Sequence, residues 1–192
     1  MNGRSHRHAG GQMAGKRVLH NICYIIPDFG CGGAQRVVAN LANRMAKDGY
    51  AVSILCFHSE DVEPFYPMDP SVRFCSLPKS FRRNRRRILK NARMCRKIFR
   101  QLKADLVIAF LLPVSMYAYF ATRFSGIKFV VSERNDPRKT IKYRDWKYIR
   151  NYVFRHADAC VFQTEDAQRY FGKRVKKKSA VIENPLCLSR DN

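Results

Sequence analysis

The sequence has no apolar run of the roughly 18 to 20 residues that a membrane-spanning helix needs. The longest candidate, residues 106–120, contains Pro113 and Ser115 and is followed by Arg123. A helical span is therefore excluded, while a membrane surface is not. Residues 1–17 are polar, with Arg4, His6, Arg7 and His8, and lack the apolar core of a secretory signal. No Cys-x-x-Cys occurs among the seven cysteines (Cys23, Cys31, Cys56, Cys75, Cys95, Cys160 and Cys187), and no Cys/His pair has zinc spacing. Their number is odd, and most sit inside apolar runs such as Ile22-Cys23-Tyr24. They read as reduced, buried small hydrophobes of a cytosolic protein, not as a disulfide framework or a metal site. Acidic residues are scarce, 15 against 37 Lys and Arg, which leaves a net charge of +22.

What is present is core material. Hydrophobic residues make up 46% and aromatics 12% of 192 residues. That is enough for a real core, makes one domain the natural count, and argues against intrinsic disorder. Residues 18–26 are nearly all apolar, as in a strand buried on both faces. A loop at 27–33 follows. Val37, Val38, Leu41, Ala42 and Met45 then recur at helical spacing through 34–47, and Gly49 is a stop signal. Residues 51–57 form a second strand, which completes a right-handed βαβ unit. The alternation continues, with strands at 72–77, 105–112, 127–132, 158–163 and 179–182. Helices fall at 82–103, 114–124, 144–156 and 165–171. The pattern implies a parallel sheet with helices on both faces, and no internal repeat is visible.

Three features carry chemistry. Gly30-Cys31-Gly32-Gly33 lies between the first strand and the first helix. Glycines let a ligand approach the backbone, and a helix N-terminus offers free N–H groups that suit a phosphate. The segment is neither G-x-G-x-x-G, whose third Gly would fall at Gln35, nor a P-loop, which ends in Gly-Lys-Ser/Thr. A tight turn that simply uses glycine is the competing reading. Ser132-Glu133-Arg134-Asn135-Asp136-Pro137 follows a strand and so sits at the ligand edge of an open sheet. A carboxylate and a guanidinium there could stabilise developing charge and orient a bound ligand. A structural ion-pair loop, with Asp136 capping a turn before Pro137, is the alternative. The third feature is cationic: every charged residue from Lys79 to Lys103 is Lys or Arg. Arg82, Arg83, Arg86, Arg87 and Lys90, with apolar residues on the other face, read as an anionic-membrane docking surface. A plain solvated face and a polyanion site are the rivals, but no nucleic-acid recognition motif is present. Lys173, Arg174, Lys176, Lys177 and Lys178 form a second basic run, read as solvated. Trp146, Tyr143, Tyr148 and Tyr152 read as core packing or an acceptor groove, and His20 as a core histidine.

Ile26-Pro27-Asp28-Phe29, Gly32-Gly33-Ala34-Gln35-Arg36-Val37-Val38-Ala39-Asn40-Leu41-Ala42 and Asp48-Gly49-Tyr50-Ala51-Val52 together resemble the opening of the family 4 glycosyltransferases of the GT-B fold. Gln35, Tyr50 and Ala51 stand where that family usually has Glu, His and Glu. Further matches are Ala104-Asp105-Leu106-Val107-Ile108-Ala109, Val131 to Pro137, Ala157-Asp158, Gln163-Thr164-Glu165 and Val181-Ile182-Glu183-Asn184-Pro185. The resemblance runs from about residue 17 to residue 186.

It implies a Rossmann-like α/β domain that is one half of a GT-B fold. Residues 1–16 would be a flexible leader, 17–186 the N-terminal, acceptor-side domain, and 187–192 the start of an interdomain linker. The donor domain with its two-glutamate motif would be absent. The implied activity is sugar transfer from a nucleotide-sugar to a glycan or lipid-linked acceptor in polysaccharide or glycoconjugate assembly. Configuration would be retained, without metal or cofactor, and this chain alone would be inactive. The alternative is a non-catalytic acceptor-binding or membrane-docking subunit, or a fragment, that needs a separate donor-domain chain. Glu133 and Arg134 would act in catalysis; Gly32, Gly33, Ala34, Arg36 and Asn135 would bind donor or acceptor. Many relatives carry His near the slot that Arg134 occupies. The expected location is the cytoplasm, peripheral on the inner face of the membrane, with no specific nucleic-acid partner.

Overall fold

The computed structural model describes residues 19–57, 64–77, 81, 87–112, 114–139 and 144–184. Its strands are β1 (Asn21–Ile26), β2 (Ala51–Cys56), β3 (Arg73–Ser76), β4 (Leu106–Phe110), β5 (Lys128–Glu133), β6 (Ala159–Phe162) and β7 (Ser179–Val181). All pair in parallel in the order β3-β2-β1-β4-β5-β6-β7. The helices are α1 (Gly33–Lys47), α2 (Ile88–Gln101), α3 (Val114–Thr122), α4 (Arg144–His156), α5 (Glu165–Tyr170) and α6 (Lys173–Lys176).

Side chains alternate across the strands and divide the core into two layers. Tyr24, Ile26, Ile54 and Phe110 pack with Val37, Val38 and Ala42 of α1. Cys23, Ile25, Leu55, Val107, Val131 and Phe162 face the other way, onto Phe99 of α2, Tyr117 of α3, Phe154 of α4 and Val175 of α6. Gly49, at φ +87°, stops α1 in the left-handed region that glycine enters without steric cost.

Two aspartates staple the sheet at its N-terminal edge. Asp105 Oδ2 accepts from the Asn21 amide at 3.0 Å, Asn21 Nδ2 at 3.1 Å and the His20 amide at 3.2 Å, which fixes the start of β4 against the start of β1. Asp158 Oδ2 accepts from the Phe129 amide at 2.9 Å and does the same for β6 and β5. The Ala-Asp pairs at 104–105 and 157–158 are thus register devices.

Several expectations change. The cationic helix starts at Ile88 with Arg87 as its N-cap; Arg82, Arg83 and Arg86 lie outside the described residues, as do residues 1–16 and 187–192. The second basic run contains a short helix, α6, anchored by buried Val175, and Lys178 Nζ donates to the carbonyls of Arg155 and Ala157. It is therefore partly structural. His20 precedes β1 and is exposed, not a core residue. Cys23, Cys56, Cys95 and Cys160 are buried and Cys75 is half-buried, but Cys31 is exposed in the loop before α1; all six are free thiols. Trp146 packs against the core, whereas Tyr148 and Tyr152 are exposed and Tyr143 lies outside the described residues.

Candidate functional site

Both sequence-derived clusters lie at the C-terminal edge of the sheet. After β1 the chain turns through residues 27–32 into α1, whose N-cap is Gly32 in an extended conformation without a side-chain cap. The first-turn amides, among them those of Gly33 and Ala34, have no intrahelical acceptor. Among the described residues, a Cβ at Gly33 would meet nothing within 4 Å. Arg36 is exposed on the same turn. Gln35 Nε2 donates to Asp28 Oδ1 at 2.8 Å and ties the helix start to the loop.

Strand β5 ends at Glu133, and the pleat sets its neighbours apart. Ser132 points to the α1 side, while Glu133 shares the face of Phe129 and Val131, beneath α4. Glu133 is 2% exposed. Its Oε1 accepts the amides of Arg134 at 3.1 Å and Asn135 at 3.2 Å. Its Oε2 is buried and has no hydrogen-bond partner among the described residues. Burial pushes the carboxyl up to about 7, against the pull of those two amides and of the Arg150 charge. The group therefore titrates near neutrality. It opens on a cavity of about 250 Å³ lined by Arg134, Asn135, Asp136, Gln163, Thr164 and Asp166, among others. Across it, Arg138 makes a two-pronged ion pair with Asp166 at 2.6 and 3.0 Å.

Arg134 borders this cavity and also reaches out of it, toward the segment after β7. Its Nη1 donates to Asn184 Oδ1 at 3.1 Å and to the Ile182 carbonyl at 3.4 Å, and the guanidinium lies 5.4 Å from the Phe110 ring centroid. It also lines a second groove of about 250 Å³, apolar, with Val37, Asn40 and Leu41 of α1 on its other side. Tyr24 Oη, Ser132 Oγ and Arg134 Nε belong to residues that border this groove and have no partners among the described residues. The glycine turn and the Glu133 loop are thus on one edge of the sheet, but only the latter lines the polar cavity.

Sequence reasoning missed Gln163, Thr164 and Asp166 as cavity lining, and it missed Arg150. The signal for Arg150 was available: it stands one turn from both Trp146 and Val153, on the apolar side of α4.

A profile described as Glycosyltransferase Family 4 matches residues 31–190. The chain belongs to glycosyltransferase family 4. A curated relative from Campylobacter jejuni is 30% identical over 175 residues, which is 89% of this chain and 47% of that protein. It is the GalNAc-alpha-(1->4)-GalNAc-alpha-(1->3)-diNAcBac-PP-undecaprenol alpha-1,4-N-acetyl-D-galactosaminyltransferase. Among solved structures, sucrose-phosphate synthase from Thermosynechococcus elongatus superposes with a TM-score of 0.65 at 13% identity, covering 85% of this chain and 48% of that one. A lipopolysaccharide outer core galactosyltransferase gives 0.62 at 16% identity, covering 89% and 50%. These structures support the fold, half of a GT-B architecture. The chain spans about half the length of the curated relative that it matches.

Proposed function

We propose that this chain is the acceptor-side half of a glycosyltransferase that moves a sugar from a nucleotide-sugar to a lipid-linked glycan. One observation carries the reading: Glu133, at the ligand edge of a parallel sheet, presents a buried oxygen without a partner among the described residues, beside a polar cavity. A carboxylate that titrates near neutrality suits contact with an attacking hydroxyl. The lining of carboxylates, side-chain amides and a hydroxyl suits a sugar, with the Arg134 guanidinium at its border for an anionic group beside it. The Campylobacter relative's lipid-linked substrate supports the acceptor class. In this reading Asn135 orients the acceptor, Arg134 faces the developing diphosphate charge, and the amides around Gly32, Gly33 and Ala34, with Arg36, contact phosphate. The reaction retains configuration and needs no metal or cofactor. The donor half, whether later in the same polypeptide or in a separate chain, holds most of the nucleotide-sugar. A membrane-peripheral position on the cytoplasmic face is supported by the exposed Arg87, Lys90, Arg93, Lys97 and Arg100 around and along α2.

Calorimetry on the chain tests this reading. An undecaprenyl-diphosphate-linked saccharide should bind, and Glu133→Gln should weaken it about tenfold, a buried hydrogen bond's share. Nucleotide-sugars should bind only weakly. Micromolar binding of a nucleotide-sugar, or acceptor affinity indifferent to Glu133, would refute the assignment.

A further inference from the structure

We infer that Arg150 of α4 is a positioning residue: it clamps the loop after β5 and supplies the positive charge against which the Glu133 carboxylate is held. The inference rests on the reading of that loop as the catalytic edge. Arg150 is fully buried. Among the described residues it makes no ion pair. Its Nη1 donates to the Pro137 carbonyl at 2.6 Å, its Nη2 to Tyr170 Oη at 2.9 Å and its Nε to Asn151 Oδ1 at 3.4 Å. The guanidinium lies over the rings of Tyr170 at 5.0 Å and Phe171 at 5.1 Å.

A buried cation without a contacting counter-ion is costly, and a neutral donor could satisfy the Pro137 carbonyl and Tyr170 alone. The full charge has a use because Glu133, buried on the face of β5 that shares a core layer with α4, begins the segment whose last carbonyl, that of Pro137, Arg150 holds; the Arg150 charge also pulls against the burial that raises the carboxyl. Pro137 ends the segment that Glu133 begins, so one guanidinium fixes the far end of the loop while attracting the carboxylate at its start. The other groups around Glu133 are Arg134, Asn135 and Asp136 on its own loop. Gln163, Thr164 and Asp166 stand across the cavity, the last paired with Arg138.

The experiment is a carboxyl ¹³C NMR titration of Glu133 in the 192-residue chain, assigned by loss of the signal in Glu133→Gln. Arg150→Gln should raise the Glu133 midpoint by about one pH unit. Arg150→Lys, which restores the charge, should bring it back toward the wild type. A midpoint unmoved in a folded Arg150→Gln variant would overturn the inference and leave Arg150 a brace. If that variant does not fold, the guanidinium ¹⁵N resonances of wild-type Arg150 serve instead. They should shift with the Glu133 midpoint, and their indifference to it would be equally decisive. In the enzyme assembled with its donor half, Arg150→Gln should move the Glu133 limb of the kcat pH profile upward by the same amount. Should Glu133→Gln leave kcat unchanged there while the NMR coupling holds, the catalytic reading of the loop fails and the Arg150–Glu133 coupling stands.

Discussion

Arg134 and Asn184, 50 residues apart, are joined by a 3.1 Å bond from Nη1 to Oδ1. It ties the loop after β5 to the segment that leaves β7, so the site loop is anchored to the strand end from which the chain continues. Arg134→Ala should leave stability within about 1 kcal/mol, because the bond is exposed. In the assembled enzyme it should lower kcat by about a hundredfold, the usual effect of removing one charge-stabilising donor. Arg134→Lys should not rescue it, since an ammonium lacks the planar fork. Steady-state kinetics with melting curves measure both; wild-type kcat in Arg134→Ala would remove Arg134 from the mechanism.

Glu133 makes stability depend on pH with a definite sign. Burial raises its folded pKa to about 7 from an ordinary value of 4.5. The native state therefore holds a proton that the unfolded state has lost. The stabilisation is fully present below about 4.5 and is lost as pH rises through about 7. The difference is on the order of 3 kcal/mol. Urea titrations of wild type and Glu133→Gln across that window should show the slope in the former only. Parallel curves would mean that the carboxyl is solvated.

The two glycines at the start of α1 should behave differently. Gly33→Ala meets open space and should keep or slightly raise the melting temperature, as helix propensity favours Ala by up to about 1 kcal/mol. Gly32→Ala would collide with the Gln35 side chain and break its bond to Asp28. If both variants lower ligand binding while only Gly32→Ala moves the amide signals of the loop at 28–35, Gly33 is a contact position. A melting temperature that falls with Gly33→Ala would make that glycine structural.

Asp105→Ala should cost about 2 to 3 kcal/mol, because it strands the Asn21 and His20 amides at the central β1–β4 junction. Asp158→Ala should cost less, since Asp158 is more exposed. Chemical denaturation of the two variants ranks them, and an Asp105→Ala variant as stable as the wild type would contradict the register role.

The β-α alternation was legible because parallel strands buried on both faces appear as short apolar runs between helical periods. Both aspartate staples were visible only as family-like residue pairs; their function needs the register of neighbouring strands. The α6 turn was hidden because its single inward residue, Val175, lies among lysines that read as solvated. Glu133 was found from its place after a strand, but which face it took depended on where β5 ended. Arg150 stayed hidden because a charge on an amphipathic helix is ordinarily assigned to solvent. Only the fold shows a carbonyl, a phenol and two rings enclosing it.

The outer face of α2 predicts membrane binding that can be reversed by charge. Lys90, Arg93, Lys97 and Arg100 are exposed along one side of the helix, a stripe of about 15 Å at 1.5 Å per residue. Arg96 is different: it donates to the carbonyls of Phe120, Ala121 and Arg123 and so caps the end of α3. Replacing Lys90, Arg93 and Lys97 by Glu should therefore spare the fold, since Ala92, Cys95 and Phe99 carry the inner face. Each basic residue near an anionic leaflet contributes roughly 1 kcal/mol, and each reversal also adds a repulsion. The triple variant should remain in the supernatant with phosphatidylglycerol vesicles that sediment the wild type at 0.1 M salt. Salt at 1 M should release the wild type too, because the Debye length falls from about 10 Å to about 3 Å. Arg96→Glu is the control: it should lower the melting temperature by uncapping α3. A wild type that ignores anionic vesicles at low salt would end the membrane reading. If the same protein then shifted duplex DNA with a steep salt slope, the stripe would be a general polyanion surface instead.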